Sequence, residues 1–157
     1  LNPKSAMQTA QQIAAQASGY DLILLGKETI DYNGAEVGAM VAELLDLPYV
    51  SFVNKLEVEG NSFTINREIE GGTEVVAVEG PIVISAAKGL AEQRIPNMQG
   101  IMMAKRKPLT VIPAVAFVDT VSIVNHDLPQ GKKGVTMVNA DDMESLVKML
   151  HEDAKAI

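Results

Sequence analysis

The sequence predicts an α/β fold with an open, mostly parallel sheet, an antiparallel hairpin or meander inserted into it, and a C-terminal helix. Two short apolar runs, 20–26 (YDLILLG) and 81–86 (PIVISA), are typical of parallel strands covered on both faces. Segments with helical spacing of apolar residues accompany them, and residues 55–80 alternate polar and apolar side chains. Crossover helices beside parallel strands indicate layers of helices packed on a sheet.

The first half of the chain predicts a helix, a strand, a second helix and a second strand. Apolar residues recur at helical spacing from Pro3 to Ala17, and Gly19 follows as a C-cap. After the strand at 20–26 and a polar loop, residues 35–48 (AEVGAMVAELLDLP) place their apolar side chains on one helical face. Residues 49–53 (YVSFV) then supply another strand. This order is that of a crossover unit in an α/β sheet.

The second half adds the antiparallel insertion and the last helix. Gly60-Asn61 and Gly71-Gly72 are the turn signals inside residues 55–80. Residues 109–112 (LTVI) predict another short strand. Residues 139–157 predict a helix with acidic residues in its first turn and an apolar stripe. We expect residues 1–157 to form a single domain.

Composition excludes several classes of function. The 157 residues carry a formal net charge of −7 and no Trp, so electrostatics and base stacking both argue against nucleic-acid binding. With no cysteine, the chain has no disulfide, no thiolate nucleophile and no cysteine-based metal site. No apolar run is long enough to insert into a membrane.

The familiar catalytic signatures are absent from the sequence. His126 and His151 are its two histidines, and no HExxH, GxSxG, Walker A or GxGxxG pattern occurs. Asp141 and Asp142 fall in the first turn of the last predicted helix, where they complement the helix dipole. We therefore predict no catalytic residue and no metal site, and no enzyme activity of the chain by itself.

The loop at 26–38 (GKETIDYNGAEVG) joins a buried strand to a helix and is a candidate ligand site. Ligands of open parallel sheets bind beyond the carboxyl ends of the strands, and N–H groups at the following helix N-terminus bind anions. Small residues at 34, 35 and 38 permit close approach of a ligand. The same pattern also fits an ordinary connection without a ligand, because this glycine spacing is not diagnostic.

Residues 94–108 (RIPNMQGIMMAKRKP) concentrate methionine and basic charge in an acidic chain. Two interpretations are open from the pattern. The apolar residues and lysine stems could pack on the domain, or the methionines could form an adaptable docking surface for another protein.

Three motifs together resemble the β subunit of electron transfer flavoprotein. They are GKETIDYNGAEVGAM at 26–40, REIEGGTEVV at 67–76 followed by PIVISA, and RIPNMQGIMMAKRKPL at 94–109. The resemblance implies a sheet of the adenine-nucleotide-binding, Rossmann-like type. It also implies a heterodimer in which an α subunit makes most of the contacts to a redox-active FAD. Electrons then pass from an acyl-CoA or other dehydrogenase to a quinone reductase or another acceptor.

The resemblance also implies a nucleotide on residues 22–37 of this chain. Including the small residues of the loop, the candidate contacts are Gly26, Thr29, Asp31, Asn33, Gly34, Ala35, Glu36, Val37 and Gly38. The nucleotide is a structural AMP in ordinary family members and a second FAD in electron-bifurcating ones. Residues 35–38 read Ala-Glu-Val-Gly, closer to the bifurcating form than to Asn-Gln-Thr-Gly. AMP and FAD both stay open.

Two further roles follow from the resemblance. Glu68 matches a position near the flavin of the α subunit, where it can pair with an arginine; a cross-strand pair with Arg67 or a lysine is the alternative. Residues 94–108 match the family's recognition loop, and Met98 falls at its anchoring leucine, with Ile95 and Met102 as the other candidates. Met103 replaces the first lysine of the family's basic run.

Family β subunits carry roughly another domain half before the position where this chain begins. We therefore expect the sequence to be the C-terminal part of such a subunit, with a bacterial cytoplasmic location preferred over the mitochondrial matrix. A hypothesis from another class is a stand-alone adenine-nucleotide-binding domain without a redox role.

Overall fold

The computed structural model describes residues 4–118, 120–131 and 134–157. Pro3, at which the first predicted helix begins, lies outside these ranges. The described residues form two compact units, one that ends at Ser122 and one from Ile123 to Ile157. The organisation of residues 1–157 as one domain stays a prediction.

The first unit is a five-stranded sheet with helices. Its elements are α1 (Ala6–Ala17), β1 (Leu22–Gly26), α2 (Val37–Leu45), β2 (Tyr49–Glu59), β3 (Ser62–Ile69), β4 (Gly72–Glu79), β5 (Ile82–Ala86) and α3 (Met98–Ala104). The strand order is β1-β5-β2-β3-β4. Strand β5 pairs in parallel with β1 and with the start of β2, while β3 pairs antiparallel with β2 and β4. The predicted α/β class with an antiparallel insertion is confirmed.

Strand β2 belongs to both parts of the sheet. The sequence pattern suggested a strand at 49–53 and a separate insertion after it, but β2 runs without a break to Glu59. Its first residues pair with β5 and its later residues with β3, and the register shifts between Val50 and Val53. Phe52 within this bulge has a φ of 58°. The bulge redirects the strand from its parallel to its antiparallel partner.

Helices α1 and α2 pack on one face of the sheet. Ser5 caps α1 because its hydroxyl accepts a hydrogen bond from the N–H of Gln8. Helix α2 ends at Leu45, and Asp46 caps it in a left-handed conformation, with its N–H bonded to the carbonyls of Ala42 and Glu43. The core between helices and sheet consists of Ala10, Ile23, Val41, Ala42 and Val83. This core fixes where both helices begin relative to the end of β1.

The other face of the sheet has its own core. Its buried residues are Val50, Val53, Phe63, Ile65, Ile82 and Ile84. Ile82 and Ile84 alternate with Val83 along β5, so this strand is buried on both faces, as its uninterrupted apolar run predicts. The same prediction for β1 is wrong in the described residues, because β1 is the edge strand of the sheet and Leu24 is exposed. Burying one such side chain stabilises the fold by about 1.5–3 kcal/mol.

The prediction of a strand at residues 109–112 is wrong. These residues lie outside any strand, and Leu109 and Val111 are exposed. The chain instead returns to α1 a few residues later, where the Gln12 side chain bonds the backbone of Val115 twice, at 2.8 Å and 2.9 Å. An apolar run signals a tendency to be buried and does not provide a pairing partner.

The second unit contains the last predicted helix. Helix α4 spans Met143–Lys148, and a π-helical turn, Met149–Asp153, continues it. Asp142 caps α4 by accepting a hydrogen bond from the N–H of Ser145 at 3.1 Å. Asp141 and Asp142 therefore lie before the helix and not in its first turn, where the sequence predicted them. The C-terminal helix is confirmed. None of the helices in the described ranges combines the length and the hydropathy that crossing a bilayer requires.

Candidate functional site

A cleft of about 520 Å³ lies at the carboxyl end of β1, which is the position expected for a ligand of an open parallel sheet. Its volume falls in the range of small-molecule sites, about 300–1,000 Å³. Three segments line it: the start of α1, the loop after β1 and the start of α2. The lining residues are Lys4, Ser5, Ala6, Thr9, Leu25, Gly26, Lys27, Glu28, Thr29, Asp31, Tyr32, Gly34, Ala35, Glu36 and Val37.

The N-termini of two helices meet at this cleft. Ser5, the N-cap of α1, and Glu36, the N-cap of α2, both line it. The first N–H groups of a helix have no acceptor inside the helix, and the helix dipole gives this end a partial positive charge. The Glu36 side chain makes no capping hydrogen bond, so the first turn of α2 lacks a side-chain acceptor from its N-cap. This arrangement suits a phosphate or another anion.

The loop between β1 and α2 is built around Asp31. Its carboxylate accepts hydrogen bonds from the Thr29 hydroxyl and from the N–H of Tyr32, the latter at 2.8 Å. The N–H of Asn33 donates to the carbonyl of Thr29 at 3.1 Å, which closes the turn. The Thr29 hydroxyl and then the Tyr32 N–H lower the pKa of Asp31 below its usual value, so the carboxylate is ionised at neutral pH.

Two non-glycine residues of the loop adopt the left-handed conformation. Asn33 has a φ of 51° and Ala35 a φ of 52°. Asparagine tolerates this region, whereas alanine pays a steric cost of about 1 kcal/mol there. Gly34 between them lies under the Glu36 side chain, because a Cβ on Gly34 would be 3.4 Å from Glu36 Oε1. The loop thus brings its backbone and the Glu36 carboxylate to one side of the cleft.

Charges of both signs surround the cleft. Lys27 pairs with Glu28 at 2.8 Å, and its ammonium group lies 5.3 Å from the centre of the Phe52 ring. Lys4 contributes another cation and Glu36 another carboxylate. A ligand that carries an anionic group and hydroxyl groups matches this mixture, because carboxylates accept hydrogen bonds from hydroxyls.

The cleft contains most of the predicted nucleotide contacts. Gly26, Thr29, Asp31, Gly34, Ala35, Glu36 and Val37 line it. Asn33 and Gly38 do not. Asn33 forms the turn, and Gly38 packs in the interior, where a Cβ would be 2.8 Å from the Tyr49 hydroxyl. The structure thus gives these two residues a role in shaping the site, and ligand contact by any of the nine stays a prediction.

Sequence reasoning missed the contribution of α1. Ser5 and Thr9 line the cleft from a helix that precedes the strand. Lys4 adds a cation beside them. The S-x-x-Q pattern at 5–8 signals a helix start, but only the packing of α1 against α2 turns that start toward the loop.

Glu68 is exposed on β3 and is bonded to Asn54, whose side-chain nitrogen lies 3.4 Å from Glu68 Oε1. Its neighbour Arg67 bonds Glu74 at 3.3 Å and the Ser51 hydroxyl at 3.0 Å. The alternative of a pair between Glu68 and Arg67 is therefore not seen in this structure. The role of Glu68 near a flavin stays a prediction.

The predicted recognition residues lie in and before α3. Ile95, Met98 and Met102 are exposed, and Asn97 caps the helix by accepting a hydrogen bond from the N–H of Gly100 at 2.8 Å. The pattern left packing on the domain and a docking surface both open. These side chains therefore do not pack into a core of the described residues, and their role as a docking surface stays a prediction.

The fold and cleft define an α/β protein in which the parallel strand β1 ends at a cleft that is also lined by two helix N-termini. The chain belongs to the electron transfer flavoprotein family, because the model of the electron transfer flavoprotein domain matches residues 1–116. The chain is 38% identical over 119 residues to the electron transfer flavoprotein subunit beta of Syntrophomonas wolfei. The matched region covers 76% of this chain and 47% of that protein.

Other subunits of the same name give longer matches. That of Bacillus subtilis is 32% identical over 152 residues, covering 88% of this chain and 58% of the relative. That of Bos taurus is 33% identical over 154 residues, covering 94% of this chain and 60% of the relative. The chain thus spans about half of the length of these relatives.

Proposed function

We propose that this chain is part of the β subunit of an electron transfer flavoprotein and pairs with an α subunit. The complex would carry electrons from an acyl-CoA or other dehydrogenase to a quinone reductase or another acceptor, in the bacterial cytoplasm. FAD, held mainly by the α subunit, would supply the redox chemistry. The chain itself transfers no group. Its part is to bind a nucleotide, to share the heterodimer interface and to present α3 to the dehydrogenase.

The observation that carries the nucleotide proposal is the convergence of two helix N-termini on the cleft. A phosphate would bind at the first turn of α2, whose N–H groups receive no capping hydrogen bond from the Glu36 side chain, and near Lys4, which also lines the cleft. The Asp31 and Glu36 carboxylates would accept hydrogen bonds from ribose hydroxyls. AMP and a second FAD share these phosphate and ribose groups, so both fit the donor set.

Counting the cofactors tests this proposal. The intact αβ complex is denatured, and released FAD and AMP are measured per heterodimer by chromatography and mass spectrometry. One FAD with one AMP indicates a linear electron carrier, and two FAD indicate the bifurcating class. A colourless protein that binds ATP without an α subunit would instead support a stand-alone nucleotide-binding domain. A complex with FAD but no second nucleotide would overturn the role of the cleft.

The exposed carboxylate of Glu68 on β3 is a further part of the proposed function. We assign it to the environment of the α-subunit flavin, where its exposed carboxylate would pair with an arginine of that subunit. Replacing Glu68 with Gln removes the charge and keeps the hydrogen-bonding shape, so the reduction potential of the FAD should rise while the cofactor count stays the same. Glu79→Gln, at an exposed position at the end of β4, is the control. An unchanged potential would argue against the assignment.

A further inference from the structure

Three of the eight methionines lie within six residues of one helix. Met98, Met102 and Met103 in α3 are 75%, 51% and 60% exposed. Met98 and Met102 are four residues apart and therefore lie on the same helical face, with Met103 next to them. By contrast, Met7 and Met40 are only partly exposed. Met40 lies in α2 and packs against the core between the helices and the sheet.

Exposed methionine is open to oxidation by peroxide. The thioether sulfur attacks one oxygen of hydrogen peroxide, an S–O bond forms as the O–O bond breaks, and the second oxygen leaves as water. The sulfur loses two electrons and the peroxide gains them. The product, methionine sulfoxide, is polar and can be reduced again by methionine sulfoxide reductases.

We propose that Met98, Met102 and Met103 are a reversible oxidation site at which hydrogen peroxide turns off docking of the partner dehydrogenase. The inference rests on the proposed function of α3 as the docking helix. An apolar, adaptable side chain that anchors in a partner's pocket loses that role when a sulfoxide dipole must be desolvated there. Oxidation would change the surface without unfolding the domain, because no residue of α3 is buried.

The three methionines lie outside the set of residues that line the cleft, so their oxidation should affect docking and not nucleotide binding. Among the described residues that line the cleft at β1 there is no methionine. Oxidation of α3 would therefore weaken contact with the dehydrogenase while nucleotide binding continues. This separation of effects distinguishes a switch from general oxidative damage.

The test uses the intact αβ complex, treated with hydrogen peroxide, freed of peroxide by catalase and assayed with an acyl-CoA dehydrogenase as the electron donor. We expect the KM for the complex to rise about tenfold or more, FAD content to stay constant, and peptide mass mapping to show sulfoxide in α3. Treatment with methionine sulfoxide reductases should restore the KM. A KM that does not change although α3 carries sulfoxide would overturn the proposal.

Matched variants assign the effect to α3. The triple variant M98L/M102L/M103L is compared before and after peroxide with its own untreated sample, and its KM should not respond. Met137 and Met143 are also strongly exposed, at 86% and 63%, so the variant M137L/M143L should stay sensitive. If M98L/M102L/M103L responds as the unmodified complex does, the switch lies elsewhere and the proposal fails.

Samples without peroxide distinguish failure of the docking role of α3 from failure of the oxidation switch. If M98A/M102A/M103A without peroxide leaves the KM for the dehydrogenase unchanged, the docking role of α3 fails and the switch fails with it. If this variant raises the KM but peroxide does not, docking stands and only the oxidation switch is lost.

Discussion

Gly38 of α2 and Tyr49 of β2 are in such close contact that a Cβ on Gly38 would lie 2.8 Å from the Tyr49 hydroxyl oxygen and 2.9 Å from Cε2 of its ring. The Tyr49 hydroxyl donates to the buried Ser85 hydroxyl at 3.0 Å, and the N–H of Phe52 donates to the same oxygen at 3.3 Å. Gly38 thus allows α2 to begin directly above the bulge of β2. The contact sets the position of the helix end that lines the cleft.

Gly38→Ala should therefore destabilise the domain. Overpacking costs about 1–3 kcal/mol, while the better helix propensity of alanine returns about 1 kcal/mol. We expect a net loss of about 1 kcal/mol in the free energy of unfolding, measured by urea denaturation of the intact subunit.

A double-mutant cycle provides the control for this prediction. In a Tyr49→Leu background, the smaller side chain leaves room for the Cβ, so the same Gly38→Ala change should cost less or become stabilising. Equal costs in both backgrounds would contradict a role of the contact with Tyr49.

The elements whose residues carry a local pattern could be predicted from the sequence. The features that depend on contacts between residues far apart in the chain could not. The strand at β1, its glycine end and the apolar face of α2 are local patterns, so the ligand loop between them could be placed in advance. Ser5 and Thr9 reach the same cleft from α1, and no local pattern encodes how one helix packs against another.

The bulge at Phe52 and the strand expected at 109–112 show the same limit. Phenylalanine favours extended backbone, and its φ of 58° exists because β2 must pair with β5 and β3 in succession. Residues 109–112 have the composition of a strand but lie outside any strand. Pairing is a property of the whole sheet, so composition alone could not decide either case.

Ala35 provides a test of the cleft itself. Ala35→Val places a β-branched side chain at a φ of 52°, which should cost about 1–2 kcal/mol of stability. Its extra bulk at the cleft should also lower the amount of AMP or FAD that co-purifies in the β subunit. Mass spectrometry of the released ligand measures this loss.

Ala35→Gly is the matched control, because glycine adopts the same backbone without strain. This variant should keep both the nucleotide and the stability. Retention of the nucleotide by Ala35→Val, in a folded protein, would place the ligand away from residue 35.

The Thr29 hydroxyl should set the pKa of Asp31. Thr29→Val removes the strongest of the hydrogen bonds that lower this pKa, so the carboxyl should titrate closer to its usual value. Carbon-detected NMR titration of the Asp31 carboxyl measures the change, and Thr29→Ser, which keeps the hydroxyl, should preserve the low pKa.

The same hydrogen bonds make the stability of the loop depend on pH. Because the folded pKa of Asp31 is depressed, its contribution is fully present above the ordinary value of 3.8 and is lost as pH falls through the lower folded value. Asp31→Asn should flatten the acid limb of the stability curve. An acid limb of the same slope in Asp31→Asn would contradict this assignment.

Gln12 should hold the segment around Val115 against α1. Its side-chain amide accepts from the Val115 N–H at 2.9 Å and donates to the Val115 carbonyl at 2.8 Å. Gln12→Ala removes both bonds, worth about 1 kcal/mol in this exposed position, so amide exchange at Val115 should speed up about fivefold. Gln16→Ala, one turn later on the same helix and exposed, should leave that exchange rate unchanged. Slow exchange in Gln12→Ala would show that other contacts hold the segment.

Met98 should be the main anchor of the docking helix. It is the most exposed methionine of α3 and follows directly after the capping residue Asn97. Met98→Ala removes the apolar side chain and should weaken binding of the dehydrogenase by about 1 kcal/mol or more, seen as a KM raised at least about fivefold with FAD content intact. Met137→Ala is the control, because this residue is even more exposed, at 86% against 75%, but lies outside α3. Unchanged electron-transfer kinetics of Met98→Ala at limiting concentrations of the complex would exclude Met98 as the anchor and direct attention to Ile95 and Met102.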